Sequence, residues 1–303
     1  MDKISVDASR LLPRADLFTS GRRSCKGCGK ALAARIASKA VSNAPAAAAL
    51  AKQPFSAGGF AHDGLSADMV IERYIAAIDA VNTASGQASR SLHKPVKKAV
   101  IGISRKVFAE DFLALARIYE GDKKALYLCF DNEHYIDDII EGTGSQLFCQ
   151  NEPHHSFSAG DIREMIREKN IPPEIFNNDF SYFATACPSF PFDLIEKVKR
   201  GSSCQGNAFI LVLTPCPTGW IFPPRLCHRV GLSAVETGYF PLYENFQGRL
   251  RITQPVTTLK PLQQYLAMQK RFFNFPAELI LRLEDAVSSF YRGLVAQEEK
   301  RQS

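Results

Sequence analysis

The sequence reads as an α/β protein built on a doubly wound, mostly parallel sheet. Three observations point that way. Short apolar runs recur along the middle of the chain, at residues 98–102, 125–130, 182–185 and 208–213. Helix-patterned stretches separate them, at 108–119, 162–169 and 191–199. The runs are almost continuously apolar rather than alternating, which is the pattern of strands covered on both faces.

The elements follow in order. Residues 1–24 form an arm, with Arg22 and Arg23 just before the turn Cys25-Lys26-Gly27-Cys28-Gly29. Residues 30–40 are rich in strong helix formers, so a helix opens directly off that turn. An alanine-rich stretch leads to the break Ala57-Gly58-Gly59, and residues 68–81 have helical spacing. The strand at 98–102 ends in glycine and the strand at 125–130 ends at Asp131-Asn132. Ligands of such sheets sit at the carboxyl ends of strands, so the loops after Ile101, Phe130, Thr185 and Leu213 are where a site belongs. After about Tyr243 the alternation stops. An edge strand at 248–253 and helices at 261–271 and 277–298 are expected there. The chain thus divides into an α/β domain, 1–245, and a C-terminal helical extension, 246–303. The extension packs on a partner subunit or closes the sheet edge of its own chain.

Bulk properties narrow the function. The 303 residues are 46% apolar and 22% charged, an ordinary globular balance. A net charge of +6 without a clustered basic stripe does not indicate nucleic acid. No run of eighteen uncharged apolar residues suggests a membrane span, and the N-terminus lacks an apolar signal segment. Eight cysteines then read as reduced thiols in a cytoplasmic protein.

Chemistry concentrates in the cysteines. A Cys-x-x-Cys pair on a glycine-relieved turn points two sulfurs at one centre, suited to a metal or a redox disulfide. Cys216 sits far downstream in Thr214-Pro215-Cys216-Pro217-Thr218-Gly219-Trp220. The prolines flanking it hold that sulfur on a rigid loop. Cys25, Cys28 and Cys216 are therefore metal-ligand candidates, three sulfurs from two loops. Cys129 reads as a core residue and Cys187 as packing near the presumed pocket. Cys149, Cys204 and Cys227 have no spacing that marks them as ligands. His154-His155 reads as surface, His228 as a structural helix residue, and Trp220 with Phe222 as packing for the Pro-Cys-Pro loop.

Several runs together carry a resemblance. They are Ser24-Cys25-Lys26-Gly27-Cys28-Gly29-Lys30-Ala31-Leu32-Ala33, Asp131-Asn132-Glu133-His134-Tyr135, Thr143-Gly144-Ser145-Gln146, Ala184-Thr185-Ala186-Cys187-Pro188, and Thr214 through Pro224. Ala234-Val235-Glu236-Thr237-Gly238 and Pro241-Leu242-Tyr243 complete the set. In this order, over most of residues 15–270, the chain resembles the β subunit of pyruvate:ferredoxin and related 2-oxoacid:ferredoxin oxidoreductases. The resemblance implies a sheet of the thiamine-diphosphate-binding type, thiamine diphosphate with Mg²⁺, and a 4Fe–4S cluster nearby. It also implies partner subunits of α, γ and δ type and a ferredoxin-like acceptor. By resemblance, Asn132 is a Mg²⁺ ligand, His134 offers its backbone carbonyl, and Tyr135, Thr143 and Gly144 line the cofactor site. The catalytic group is unassigned.

Three departures accompany the resemblance. Family members carry a Gly-Asp-Gly turn whose carboxylate holds Mg²⁺, whereas this chain runs Gly102-Ile103-Ser104-Arg105-Lys106. Mg²⁺ needs hard oxygen ligands, so the metal site is weakened. Arg105 and Lys106 stand where the metal's charge belongs and could pair with an anion directly. Between Tyr135 and Gly144 an insertion adds Asp137, Asp138 and Glu141. The family's third cysteine has no counterpart, since residues 44–60 contain none. An exogenous ligand, a 3Fe–4S cluster, His62 or Asp63 could complete the site, or the site could be vestigial. Two functions follow: a divergent β-type subunit doing thiamine-dependent oxidative decarboxylation or electron relay, or a catalytically degenerate scaffold without thiamine diphosphate.

Overall fold

The computed structural model describes residues 25–41, 99–104, 125–133, 180–204, 206–273 and 275–300. The helices expected at 68–81, 108–119 and 162–169 lie outside them, as do Arg105, Lys106, His134, Tyr135, Thr143 and Gly144.

Helix α1 (Gly29–Val41) opens directly off the cysteine turn. Strands β1 (Ala99–Ser104), β2 (Ala125–Asp131) and β3 (Phe180–Ala186) follow in the chain. Helix α2 (Pro191–Ser203) starts on a proline, which loses nothing in a first turn, with Asp193 near its positive end and Arg200 near its negative end. Strand β4 (Asn207–Leu213), helix α3 (Cys227–Glu236), strands β5 (Tyr243–Phe246) and β6 (Arg249–Ile252), and helices α4 (Gln263–Leu266) and α5 (Ala277–Glu299) complete it.

The six strands form one sheet in the order β1-β2-β4-β3-β5-β6. The first four are parallel, with Ala99 opposite Ala125, Leu126 opposite Ala208, and Ala184 opposite Ile210. The last two are antiparallel, so the sheet is mixed. Gln247 (φ 50°) and Gly248 (φ 79°) make the two-residue turn between β5 and β6. Two successive positive φ values are what a tight hairpin needs to match strand twist.

Strand side chains alternate between two cores. Leu126, Leu128, Phe130, Ala208, Ile210 and Val212 meet α1 and α2 on one face. Tyr127, Cys129, Phe209, Leu211 and Leu213 meet α3, α4 and α5 on the other. Burial on both faces explains why these strands read as unbroken apolar runs. Gly201 lets α2 lie close to the sheet, because a Cβ there would come within 2.8 Å of the Leu126 side chain.

The C-terminal residues pack on their own chain. Leu279, Leu283 and Val287 recur every fourth position on α5 and join the second core. Glu298 accepts the Ile252 N–H at 3.0 Å, and the Tyr291 hydroxyl accepts the Val256 N–H at 2.7 Å. The helix expected over 261–271 is shorter than its pattern suggests. It is α4 and a 3₁₀ turn (Lys270–Phe272), separated by an extended Gln269 with φ −120°.

Candidate functional site

The carboxyl ends of β1, β2, β4 and β3 lie along one edge of the sheet, and the loops leaving β2 and β4 are fastened there. Thr214, just past β4, donates its N–H (2.7 Å) and its hydroxyl (2.9 Å) to the Asp131 carbonyl at the end of β2. The Asp131 carboxylate accepts the Glu133 N–H at 2.7 Å. Between them stands Asn132, half-buried, whose backbone carbonyl accepts the Trp220 Nε1–H at 2.7 Å. Trp220 is 0% exposed and packs beside Phe222, so the expected role of these rings in holding the Pro-Cys-Pro loop is observed.

The cysteine turn closes onto the same loop. The Gly29 N–H donates to the Pro215 carbonyl at 3.1 Å. Gly27, with φ 71°, faces Pro224, whose carbonyl oxygen would lie 2.7 Å from a Cβ there. Cys28 and Cys216 therefore come from adjoining segments. Cys28 Sγ accepts the Ala31 N–H at 3.5 Å, and Cys216 Sγ accepts the Gly219 N–H at 3.3 Å. Cys25 is exposed. Lys30 lies beside Cys28, Cys129 and Cys216. Burial lowers its ammonium pKa, and the neighbouring sulfurs push it back up. Among the described residues, no three His, Cys, Asp or Glu side chains form a ready metal site.

The sulfur donors are of the kind that iron–sulfur clusters take, although among the described residues no three of them are gathered as a metal site. The sulfurs are soft ligands on two docked loops, two of them receive backbone N–H groups, and a cation stands beside them. Thiamine diphosphate with Mg²⁺ fits in part. Asn132 offers an oxygen, while the Asp131 carboxylate beside it accepts the Glu133 N–H and the Glu133 carboxylate is paired with Arg271.

A residue without a sequence signal ties these loops together. Arg271, in the 3₁₀ turn after α4, donates through Nη2 to Glu133 Oε2 at 2.6 Å, and both side chains are 1% exposed. Its guanidinium lies 4.3 Å from the Trp220 ring centroid and 4.7 Å from that of Phe272. Gln269 accepts two further N–H groups from it. The other oxygen of Glu133, Oε1, has no hydrogen-bond partner among the described residues.

The remaining thiols divide. Cys129 and Cys187 are 0% exposed, as core residues should be. Cys204 is half-buried and donates to the Gly201 carbonyl at 3.4 Å. Cys227 donates to the Pro215 carbonyl, with Sγ at 3.7 Å. His228 lies on α3 as expected, and Cys149, His154 and His155 lie outside the described residues. Burial pushes the Cys187 thiol up to about 11, against about 9 for an ordinary thiol. Its contribution to stability is full below the unfolded pKa and disappears as pH rises through the folded one. Unfolding titrations should therefore show about 2–3 kcal/mol of stability lost between roughly pH 9 and 11, and Cys187→Ala should flatten that slope.

Fold and site together define an α/β protein whose cysteine-bearing loops close over the carboxyl ends of its parallel strands. No protein-family model matches the chain. Curated relatives do. The pyruvate synthase subunit PorB of Methanocaldococcus jannaschii is 32% identical over 286 residues, 90% of this chain and 94% of that protein. The PorB subunit of Methanothermobacter thermautotrophicus is 30% identical, covering 92% of this chain and 97% of its own. The ketoisovalerate oxidoreductase subunit VorB of Pyrococcus horikoshii is 27% identical over 86% of each. The chain belongs to the β-subunit family of 2-oxoacid:ferredoxin oxidoreductases.

Proposed function

We propose that this chain is the β-type subunit of a 2-oxoacid:ferredoxin oxidoreductase complex, in which its cysteine loops carry electrons toward a ferredoxin-like acceptor. The observation that supports this most is the Gly29 N–H to Pro215 carbonyl bond, which brings the Cys28 and Cys216 loops into contact. The relatives' names, subunits of pyruvate synthase and ketoisovalerate oxidoreductase, agree with a small 2-oxoacid substrate. They also agree with assembly into a complex with α-, γ- and δ-type subunits. Exposed Phe273 and Leu281, 81% and 62% accessible on the C-terminal segment, offer apolar contact to such a partner. Among the described residues no helix is long and apolar enough to cross a membrane.

The cofactor side of the reading is narrower. Thiamine diphosphate, when bound, would supply carbanion stabilisation for decarboxylation of a 2-oxoacid. Asn132 would face it from the end of β2, held by Trp220 through its backbone carbonyl. Arg105 and Lys106 would carry positive charge toward the diphosphate from beyond β1. His134, Tyr135, Thr143 and Gly144 would line the same pocket. Cys25, Cys28 and Cys216 would hold iron. The alternative, a scaffold subunit that does not bind thiamine diphosphate, is favoured by one observation: Gly102-Ile103-Ser104 carries no carboxylate for Mg²⁺.

Iron analysis and calorimetry on the anaerobically purified chain separate the two. The expected result is bound iron, with thiamine diphosphate binding that changes less than about tenfold, ~1.4 kcal/mol, when Mg²⁺ is withheld. Loss of that binding in Arg105→Ala/Lys106→Ala would assign the diphosphate to those cations. Neither iron nor thiamine diphosphate in the chain would establish the scaffold.

A further inference from the structure

Among the described residues, three that are not glycine hold a positive φ. Gln247 makes the β5–β6 turn. The other two, Glu133 and Ile221, both at φ 54°, stand at one place. Each directly follows a partner in the same hydrogen bond, from Trp220 Nε1–H to the Asn132 carbonyl at 2.7 Å. The left-handed region disfavours any side chain, a β-branched one such as Ile221 most of all, and persists where the surroundings over-determine it. One short segment supplies that constraint to both residues. The Lys270 N–H donates to the Ile221 carbonyl at 3.3 Å. The next residue, Arg271, donates to Glu133 Oε2 at 2.6 Å and lays its guanidinium 4.3 Å from the Trp220 ring centroid. Gln269 accepts from Arg271 Nε and Nη2 at 3.0 and 2.8 Å, and donates to the Tyr265 carbonyl at 3.0 Å, which anchors the segment to α4. The Trp220 backbone N–H then reaches the sulfur loop, donating to the Cys216 carbonyl at 2.8 Å. Asn132 and Cys216, on loops that leave β2 and β4, are thus set by the same guanidinium.

We propose that Arg271 is a positioning residue that couples the two loops of the candidate site, fixing Asn132 and Cys216 as one unit. Its purpose rests on the function proposed above: a group held at Asn132 and an electron-carrying sulfur loop work together only at constant separation. The coupling itself belongs to the chain and needs neither cofactor nor metal. Without the Glu133 carboxylate, the guanidinium is a buried cation without its counter-charge and moves toward water. Trp220 then loses the cation over its ring, and its hydrogen bond to Asn132 loses the clamp that held both sides. A disturbance on the loop after β2 therefore appears at the sulfur on the loop after β4.

The test disturbs one loop and reads the other. The full chain, with its thiols reduced, is treated with N-ethylmaleimide, and alkylation of each cysteine is followed by peptide mass spectrometry. Cys187, 0% exposed, reports global unfolding in the same sample. Glu133→Ala should speed alkylation of Cys216 relative to Cys187 by about tenfold or more. Glu133→Gln keeps an acceptor oxygen without the charge, so the ratio should rise by only about threefold. Glu244→Ala is the control, a likewise buried carboxylate on β5 held by Arg200 and Arg251, and it should leave the ratio unchanged. The indole N–H resonance of Trp220, the only tryptophan, gives a second reading. In Glu133→Ala it should move upfield, toward a free indole, and exchange faster with solvent. An unchanged ratio with an unmoved resonance overturns the proposal, and so does a Glu244→Ala chain whose ratio rises as far. Should Glu133→Ala not fold, Glu133→Gln decides by the same two readings: a shift in the same direction supports the coupling, and none overturns it. Neither reading requires a bound cofactor, so failure of the coupling is told apart from failure of the function proposed above, which the calorimetry decides alone.

Discussion

Arg271→Ala should destabilise the chain by about 3–5 kcal/mol, read as a lower midpoint in denaturant unfolding. The reason is what the substitution leaves behind. Glu133 keeps a carboxylate that is 1% exposed, one oxygen of which already has no described partner, and the other then loses its guanidinium. Trp220 and Phe272 lose the cation over their rings at the same time. Arg271→Lys restores charge but not the fork that reaches Glu133 and Gln269 together, so it should recover only part of the loss. Arg271→Met with Glu133→Leu should come out more stable than Arg271→Ala, because a buried pair removed whole leaves no orphan charge. If Arg271→Ala unfolds at the midpoint of the unsubstituted chain, the pair is not holding the loop after β2.

Gly29→Ala has the second large expectation. A Cβ at this position would lie 2.5 Å from the Pro215 carbonyl oxygen and 2.7 Å from the Pro215 nitrogen. Both are backbone atoms of a proline-stiffened loop, so neither can rotate aside as a side chain would. The cysteine turn must retreat, breaking the Gly29 N–H bond to Pro215. The cost should be about 3 kcal/mol, at the upper end for overpacking. Iron retention should fall with it, because Cys28 and Cys216 then no longer belong to adjoining segments. Gly293→Ala is the matched control. A Cβ on that α5 glycine meets nothing within 4 Å, and alanine favours helix by up to about 1 kcal/mol.

The sequence revealed the parallel strands because burial on both faces leaves a mark in composition. Leu126 through Phe130 and Ala208 through Leu213 admit no charged residue. Strand β5 left no such mark. Tyr243-Glu244-Asn245-Phe246 is short and polar, and it is extended because β3 and β6 pair with it on either side. Glu244 is buried there only because Arg200, Arg251 and the Tyr182 hydroxyl all converge on it. The tail shows tertiary contact overriding local preference. Residues 261–271 pattern as helix, but Gln269 is drawn out of it and lies 1% exposed, its side chain oxygen accepting from Arg271. At the site, the cysteine and Pro-Cys-Pro motifs were visible as residue types at fixed spacing. Arg271 was not, since it acts on Glu133 across a distance in sequence that no local pattern records.

The Glu133–Arg271 pair joins positions 138 residues apart. A nascent chain therefore makes the segment that carries Asn132 early and cannot fasten it until residue 271 has emerged. Contacts this remote in sequence form late, after the loop-closure entropy between them has been met. This edge of the sheet is thus among the last parts to become rigid, and a chain stalled before Arg271 would present it loose. Trp220 is the only tryptophan and sits under the same guanidinium, so its fluorescence in a refolding experiment reports that final closure.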